Sequence, residues 1–219
     1  MPSWNIHLEA GKRLSKKLNY SPAEEKEFLL GNILPDLNNG YLYPVAKIKS
    51  HEETHFTPDS QPGVLCESFE NFYRQNSDKI KKESPIYLGY LFHLYLDSYY
   101  NYSAYQAIGC RKEYDNYPAE KIPEIKRHDF WLYDRNFHHS INIDSEVESE
   151  KLVHAASQIF PVETTADELL KIDQKLKDGT NISEKDDNKY LYSSFEGFEN
   201  LTDRLILDFS KQYLGEDYA

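Results

Sequence analysis

The stretch from Ser84 to Gln106 constrains the fold of this chain more than any other segment. It is rich in Tyr, Leu and Phe, and its one formally charged residue is Asp97. Apolar side chains that fall on every face of a helix leave no face for water, so such a helix is buried on most sides. We read it as the central helix of an α-helical protein.

Elsewhere, apolar residues recur at intervals of three and four rather than alternating, which is the helical pattern. Residues 4–18 form a short amphipathic helix carrying Ile6, Leu14 and Leu18, and Ser21-Pro22 starts a second one through Phe28, Leu29 and Leu30. Pro35 is expected to end or kink that helix and to leave Asp36 at its end. Residues 37–62, with Asn38-Asn39-Gly40, Pro44, Pro58 and Pro62, read as a long functional loop that holds His51 and His55. Helices are expected over 63–76, 84–106 and 124–140, with Pro118 and Pro123 in the loop before the last of these. Weaker helices follow over 147–158, 165–177 and 188–213, with a loop or insertion from Asp178 to Asn188. No internal repeat interrupts the reading, and the expectation is a single all-α domain over 1–219.

Composition excludes several classes. A chain of 219 residues is long enough for one sizeable core, and 18 Tyr and 11 Phe supply it despite 28% charged residues. The formal net charge of −12 comes without a free-standing basic run, so no nucleic-acid partner is expected. Cys66 and Cys110 lack metal-type spacing and read as two buried thiols. The N-terminal residues lack a signal-peptide pattern and no apolar stretch approaches the ~20 residues of a membrane span, so a cytoplasmic protein is expected.

The chemistry begins inside the central helix, where Gly89, His93 and Asp97 recur every four residues and share one face. A carboxylate and an imidazole buried among apolar groups need compensation. Mutual hydrogen bonding that staples the core would provide it, and so would a divalent cation, with Gly89 leaving room for another segment to approach. Taken singly, His7 reads more readily as a hydrogen-bonded core histidine, Asp36 as a helix-end or turn residue and His55 as an exposed loop residue. Together with His93 and Asp97 they supply three imidazoles and two carboxylates, a donor set suited to zinc or a similar divalent metal.

The order of His7, Pro35-Asp36, His55-Phe56 with Pro58-Asp59, then Tyr87-Leu88-Gly89 leading into His93 and Asp97, resembles the bacterial zinc-dependent phospholipase C family and, more distantly, the fungal single-strand nucleases. The likeness covers roughly residues 1–105. It implies an all-helical domain that holds a cluster of zinc ions and hydrolyses phosphodiesters with metal-activated water. It also implies that His7 and Asp97 share one ion, that Asp36, His55, His93 and Asp97 surround its neighbour, and that Asp36 helps orient or deprotonate the attacking water.

The chain also departs from that family. The mature N-terminal Trp of the secreted enzymes ligates metal with its own amine, whereas Trp4 is internal, so that ligand is expected to be missing. The family's further metal takes a histidine where this chain has Ser103, and a His followed four residues later by Glu where His138 is followed by Asn142. A third ion is therefore not expected. His128, His138 and His139, placed on the 124–140 helix, are weaker candidates, and His154 has no supporting neighbours. His51 becomes a substitute ligand if its segment is helical.

Two readings follow. The first is an enzyme that uses one or two Zn²⁺ or other divalent ions to hydrolyse a small or lipid-derived phosphate ester. Its acidic surface would be repelled by anionic bilayers. The second is a non-catalytic protein that keeps a structural metal or binds a phosphorylated ligand without cleaving it.

Overall fold

The computed structural model describes residues 3–37, 49–56, 64–81, 84–110, 121–159, 164–178, 189–215 and 218. Every regular element among them is helical: α1 (Trp4–Lys17), α2 (Pro22–Gly31), α3 (Leu34–Leu37), α4 (His51–His55), α5 (Ser68–Lys81), α6 (Pro85–Gly109), α7 (Ile122–Asp134), α8 (Glu146–Ala156), α9 (Ala166–Asp178) and α10 (Phe195–Tyr213). The fold is all-α, as the apolar spacing predicts. No helix among these residues is long and apolar enough to cross a membrane.

The helices start where their caps dictate. Ser3 accepts from the Ile6 N–H at the head of α1, and Ser21 and Ser50 close reciprocal capping boxes with Glu24 and Glu53 at α2 and α4. From Pro85 to Ser98 every residue of α6 is buried, so the helix runs through the middle of the core as its composition requires. α1, α2, α5, α7 and α10 pack around it. Phe92, Tyr95 and Phe209 interlock on one side, and Tyr100, Phe130 and Phe198 on another.

α2 and α6 approach each other closely at two glycines. A Cβ on Gly89 would lie 2.1 Å from the Phe28 carbonyl oxygen, and one on Gly31 would lie 2.2 Å from that of Ile86. The room left by the missing side chains lets the two backbones touch. α2 thus delivers its C-terminal end directly onto the face of α6 that carries His93.

Several boundaries differ from the sequence expectation. α2 stops at Gly31 with Asn32 as its cap, and Pro35 lies within the short α3 rather than ending a helix. A proline in a first turn loses no helical N–H bond, which also explains why Pro123 opens α7 instead of lying in the loop before it. α5 begins at Ser68, later than expected, and runs on to Lys81. α7 ends at Asp134, so His138 and His139 lie beyond it. The last helix begins only at Phe195. Its preceding segment is held differently: buried Asp129 accepts the backbone N–H groups of Leu191, Tyr192 and Ser193, in bonds that a helical backbone could not spare. Asp173 holds Ile141, Asn142 and Ile143 in the same way. Most of the turn residues of 37–62, Pro118 and the loop of 179–188 lie outside the described residues. The expected buried thiols are corrected too, since Cys66 is half-buried and Cys110 is exposed.

Candidate metal centre

Four helices carry the five residues. α1 brings His7, α3 Asp36, α4 His55, and α6 both His93 and Asp97. All five are buried, with His7 and His93 wholly removed from solvent. They form two overlapping groups whose ligand atoms lie within 4.8 Å of one another, His7 with His93 and Asp97, and Asp36 with His55 and His93. The exposed-loop reading of His55 is overturned by this burial, while Asp36 is buried and also lies near the end of a short helix, as expected of a helix-end aspartate.

Asp97 lies between them. Its Oδ1 is 3.2 Å from His7 Nε2, while its Oδ2 is 3.4 Å from His55 Nε2 and 3.5 Å from His93 Nε2. Asp36 closes the other side, with Oδ1 3.8 Å from His55 Nε2 and Oδ2 4.0 Å from His93 Nε2. Around a tetrahedral zinc with bonds of roughly 2.0–2.1 Å, ligand atoms stand roughly 3.3–3.4 Å apart, so these separations bracket what an ion would impose. The two oxygens of Asp97 face different histidines, the disposition of a carboxylate that could bridge two ions.

The orientation of each imidazole follows from its other nitrogen. His93 Nδ1–H donates to the Asn32 carbonyl at 2.8 Å, which leaves Nε2 as a lone pair. Thr54 Oγ1 donates to the Ser50 carbonyl and accepts from His55 Nδ1–H at 2.8 Å, with the same result. The Tyr90 hydroxyl donates to the Thr54 carbonyl and ties α4 to α6. Phe56 ends α4 in the left-handed region at φ 59° and packs edge-on against Phe72 and Tyr90, so His55 faces inward.

The chemistry of the donors fits a cation. His7 Nδ1, His55 Nε2, His93 Nε2 and Asp97 Oδ2 are buried without a hydrogen-bond partner. Buried polar atoms are nearly always satisfied, so unpartnered atoms gathered in one cluster leave lone pairs that a cation could take. Electrostatics agree. Burial alone would raise the Asp97 carboxyl, but the imidazoles of His93, His55 and His7 hold it well below the carboxylate range. Burial, reinforced by nearby His93, pushes His7 down and favours its neutral, ligating form. For His93 burial works the same way, yet the charge of Asp97 outweighs it and raises the imidazole in the absence of an ion.

Three supporting residues were not picked out in the sequence as parts of the site. Trp4, expected only as a lost amine ligand, donates its indole N–H to Asp36 Oδ2 at 3.2 Å. Asn32 accepts from His93 and also donates its side-chain N–H to the His7 carbonyl, joining α1, α2 and α6. Thr54 orients His55. Their signals in the sequence are those of any indole, helix cap or hydroxyl.

The remaining histidines belong to neither group, although His51 packs against one member. His51 is the first residue of α4, so its segment is helical, and its ring stacks on His55 at 4.1 Å. His128 pairs with Asp129, His139 pairs with Glu9, and His138 is exposed. Ser103 lies on α6, and Asn142 is exposed with φ 63°. Comparison of the chain with protein-family models, with curated proteins and with solved structures finds no match.

Proposed function

We propose that this chain binds one or two divalent cations, zinc suiting the donors best, and uses them to hydrolyse phosphate esters. The observation that carries the reading is the convergence of unpartnered His55 Nε2, His93 Nε2 and Asp97 Oδ2 in a buried cluster closed by Asp36. Histidine nitrogens and carboxylate oxygens without thiolates are the donors that zinc shares with other hydrolytic metals. A cation held here would acidify a water molecule and draw charge from a phosphoryl oxygen. Asp36, held on Oδ2 by Trp4, is the group to orient that water and take its proton as the new P–O bond forms and the ester P–O bond breaks. His93 and His55, locked through Nδ1, keep their Nε2 atoms in place without reorganisation.

The test combines elemental analysis with turnover of a chromogenic phosphomonoester and phosphodiester. Hydrolysis that disappears with chelator and returns with zinc supports the proposal. Metal-loaded protein that turns over neither ester overturns the catalytic part.

One observation favours the second reading, a structural metal. The cluster is deeply buried, and structural zinc sites are closed whereas catalytic ones keep a position for water. Cobalt substitution separates the two. A spectrum altered by added phosphate indicates an open coordination position, and an indifferent one indicates a closed site.

A further inference from the structure

Asn101 follows Asp97 by four residues and continues the α6 face marked by Gly89, His93 and Asp97. Lys126 of α7 reaches back to this face. Its Nζ donates to Asn101 Oδ1 and lies 5.2 Å from the centroid of the Tyr105 ring. The residue is only 8% exposed. Burial pushes its ammonium below the ordinary lysine range, and Asp97 is near enough for its charge to pull the other way.

A buried ammonium with no carboxylate paired to it among the described residues is costly, and a cross-link between α6 and α7 would be made at less cost by an amide. Charge balance gives the ammonium a use. Asp36 and Asp97 bring two negative charges and Lys126 one positive, while imidazoles that bind metal are neutral. One divalent ion therefore leaves a surplus of one positive charge, and a second raises it to three. A loaded centre of this kind calls for an anion. One helical turn separates Asp97 from Asn101, roughly 6 Å along the axis.

We infer that Lys126, held in place by Asn101, is the anion-binding arm of the metal centre and takes an oxygen of a phosphoryl group whose other oxygens face the cation. This rests on the metal-centre reading and extends it to substrate recognition. The arm suits an unesterified phosphate or a phosphomonoester, whose dianion answers a surplus of more than one charge, better than a neutral ligand.

The experiment is calorimetric titration of the zinc-loaded protein with inorganic phosphate and phenyl phosphate, alongside metal analysis, for the unaltered chain, Lys126→Met, Lys126→Arg and Asn101→Ala. Loss of one charge-assisted hydrogen bond is expected to weaken phosphate binding about tenfold or more in Lys126→Met. Metal stoichiometry should be unchanged, Lys126→Arg should recover most of the affinity, and Asn101→Ala should fall between. A purely structural role would lower stability without separating metal from phosphate binding. If Lys126→Met does not fold, Lys126→Arg and Asn101→Ala still decide the matter, because affinity equal to the unaltered chain in Asn101→Ala overturns the arrangement. Absence of metal from the unaltered protein overturns the metal reading and this inference with it. Metal present, with phosphate affinity indifferent to position 126, overturns this inference alone.

Discussion

The Nδ1–H of His93 donates to the carbonyl of Asn32 at 2.8 Å, so the capping residue of α2 fixes the orientation of a buried imidazole on α6. The bond exists because Gly89 and Gly31 allow the two backbones to touch. Helix packing and site chemistry are therefore one structure here. The side chain that points Nε2 at Asp97 and Asp36 depends on two absent side chains one helical turn away.

His93→Ala is expected to lower bound metal and stability together. It removes a free Nε2 from both candidate groups and leaves Asp97 buried with one imidazole fewer. Breaking one partner of a buried charged pair costs about 3–5 kcal/mol. Elemental analysis beside a melting curve with and without chelator checks this, and unchanged metal content would reject His93 as a ligand.

Gly89→Ala tests the coupling itself. The added Cβ would sit 2.1 Å from the Phe28 carbonyl oxygen and 3.0 Å from the Asn32 nitrogen, so backbone must move. Overpacking of this sort costs about 1–3 kcal/mol or more, and the shift carries the Asn32 carbonyl away from His93. The variant should lose metal affinity as well as stability, although it alters no ligand. Full metal affinity in a destabilised protein would show that the Asn32 bond does not govern the site.

His138→Ala should leave metal content and melting temperature nearly unchanged. His138 is exposed beyond the end of α7, and the two positions from which a third ion would need ligands hold Ser103 and Asn142 instead. Loss of one equivalent of metal in this variant would reveal a third site that the structure does not assemble.

Glu9 provides a pH-dependent contribution beside the site. The hydrogen bond from His139, aided by Arg13, overcomes the effect of burial and holds its carboxyl at about 2, below the ordinary 4.5. A depressed carboxylate stabilises the fold fully above its unfolded pKa and loses that contribution as pH falls from 4.5 through about 2. The stability advantage of the unaltered chain over Glu9→Gln, both measured in chelator, should therefore shrink on acidification across that window. An advantage that is constant or grows there would contradict the assignment. The Glu9 side chain keeps 16% of its surface exposed, so solvent screening still tempers the effect.

The parts of the site that were legible in the sequence are those where polar donors interrupt apolar helices. His93 and Asp97 stand out in α6 because nothing around them is charged, and Gly89 because glycine weakens a helix unless something needs the space. Asn32 was invisible because asparagine after a helix reads as an ordinary cap. Lys126 was hidden in the run Glu124-Ile125-Lys126-Arg127, where charges normally face solvent. The overlong reading of α7 has a similar origin. Phe137 continues the aromatic pattern of Phe130 and Tyr133, and its ring does pack edge-on against Tyr133, but from beyond the helix end. Periodicity identified the contact and mistook the path of the chain.

The prediction that bears most directly on chemistry concerns Asp36. Asp36 lies at the edge of the cluster, with one oxygen toward His55 and the other held by the Trp4 indole. Asp36→Asn keeps the shape of the side chain, and an amide oxygen can still accept from Trp4, so the fold should survive. What it removes is a negative charge and a proton acceptor. Turnover of a phosphate ester should fall by about 10²–10⁴-fold, the usual worth of a general base, at a melting temperature close to that of the unaltered protein. Trp4→Phe separates position from charge: it deletes the indole N–H while leaving the Asp36 carboxylate, and should lower the rate less than Asp36→Asn with metal content retained. The unaltered protein should gain rate with pH as the bound water ionises, with a midpoint of roughly 7, and Trp4→Phe should keep that midpoint because it changes no charge. Equal rates in Asp36→Asn and the unaltered protein, both shown to carry metal, would remove Asp36 from the reaction and leave it as a ligand alone.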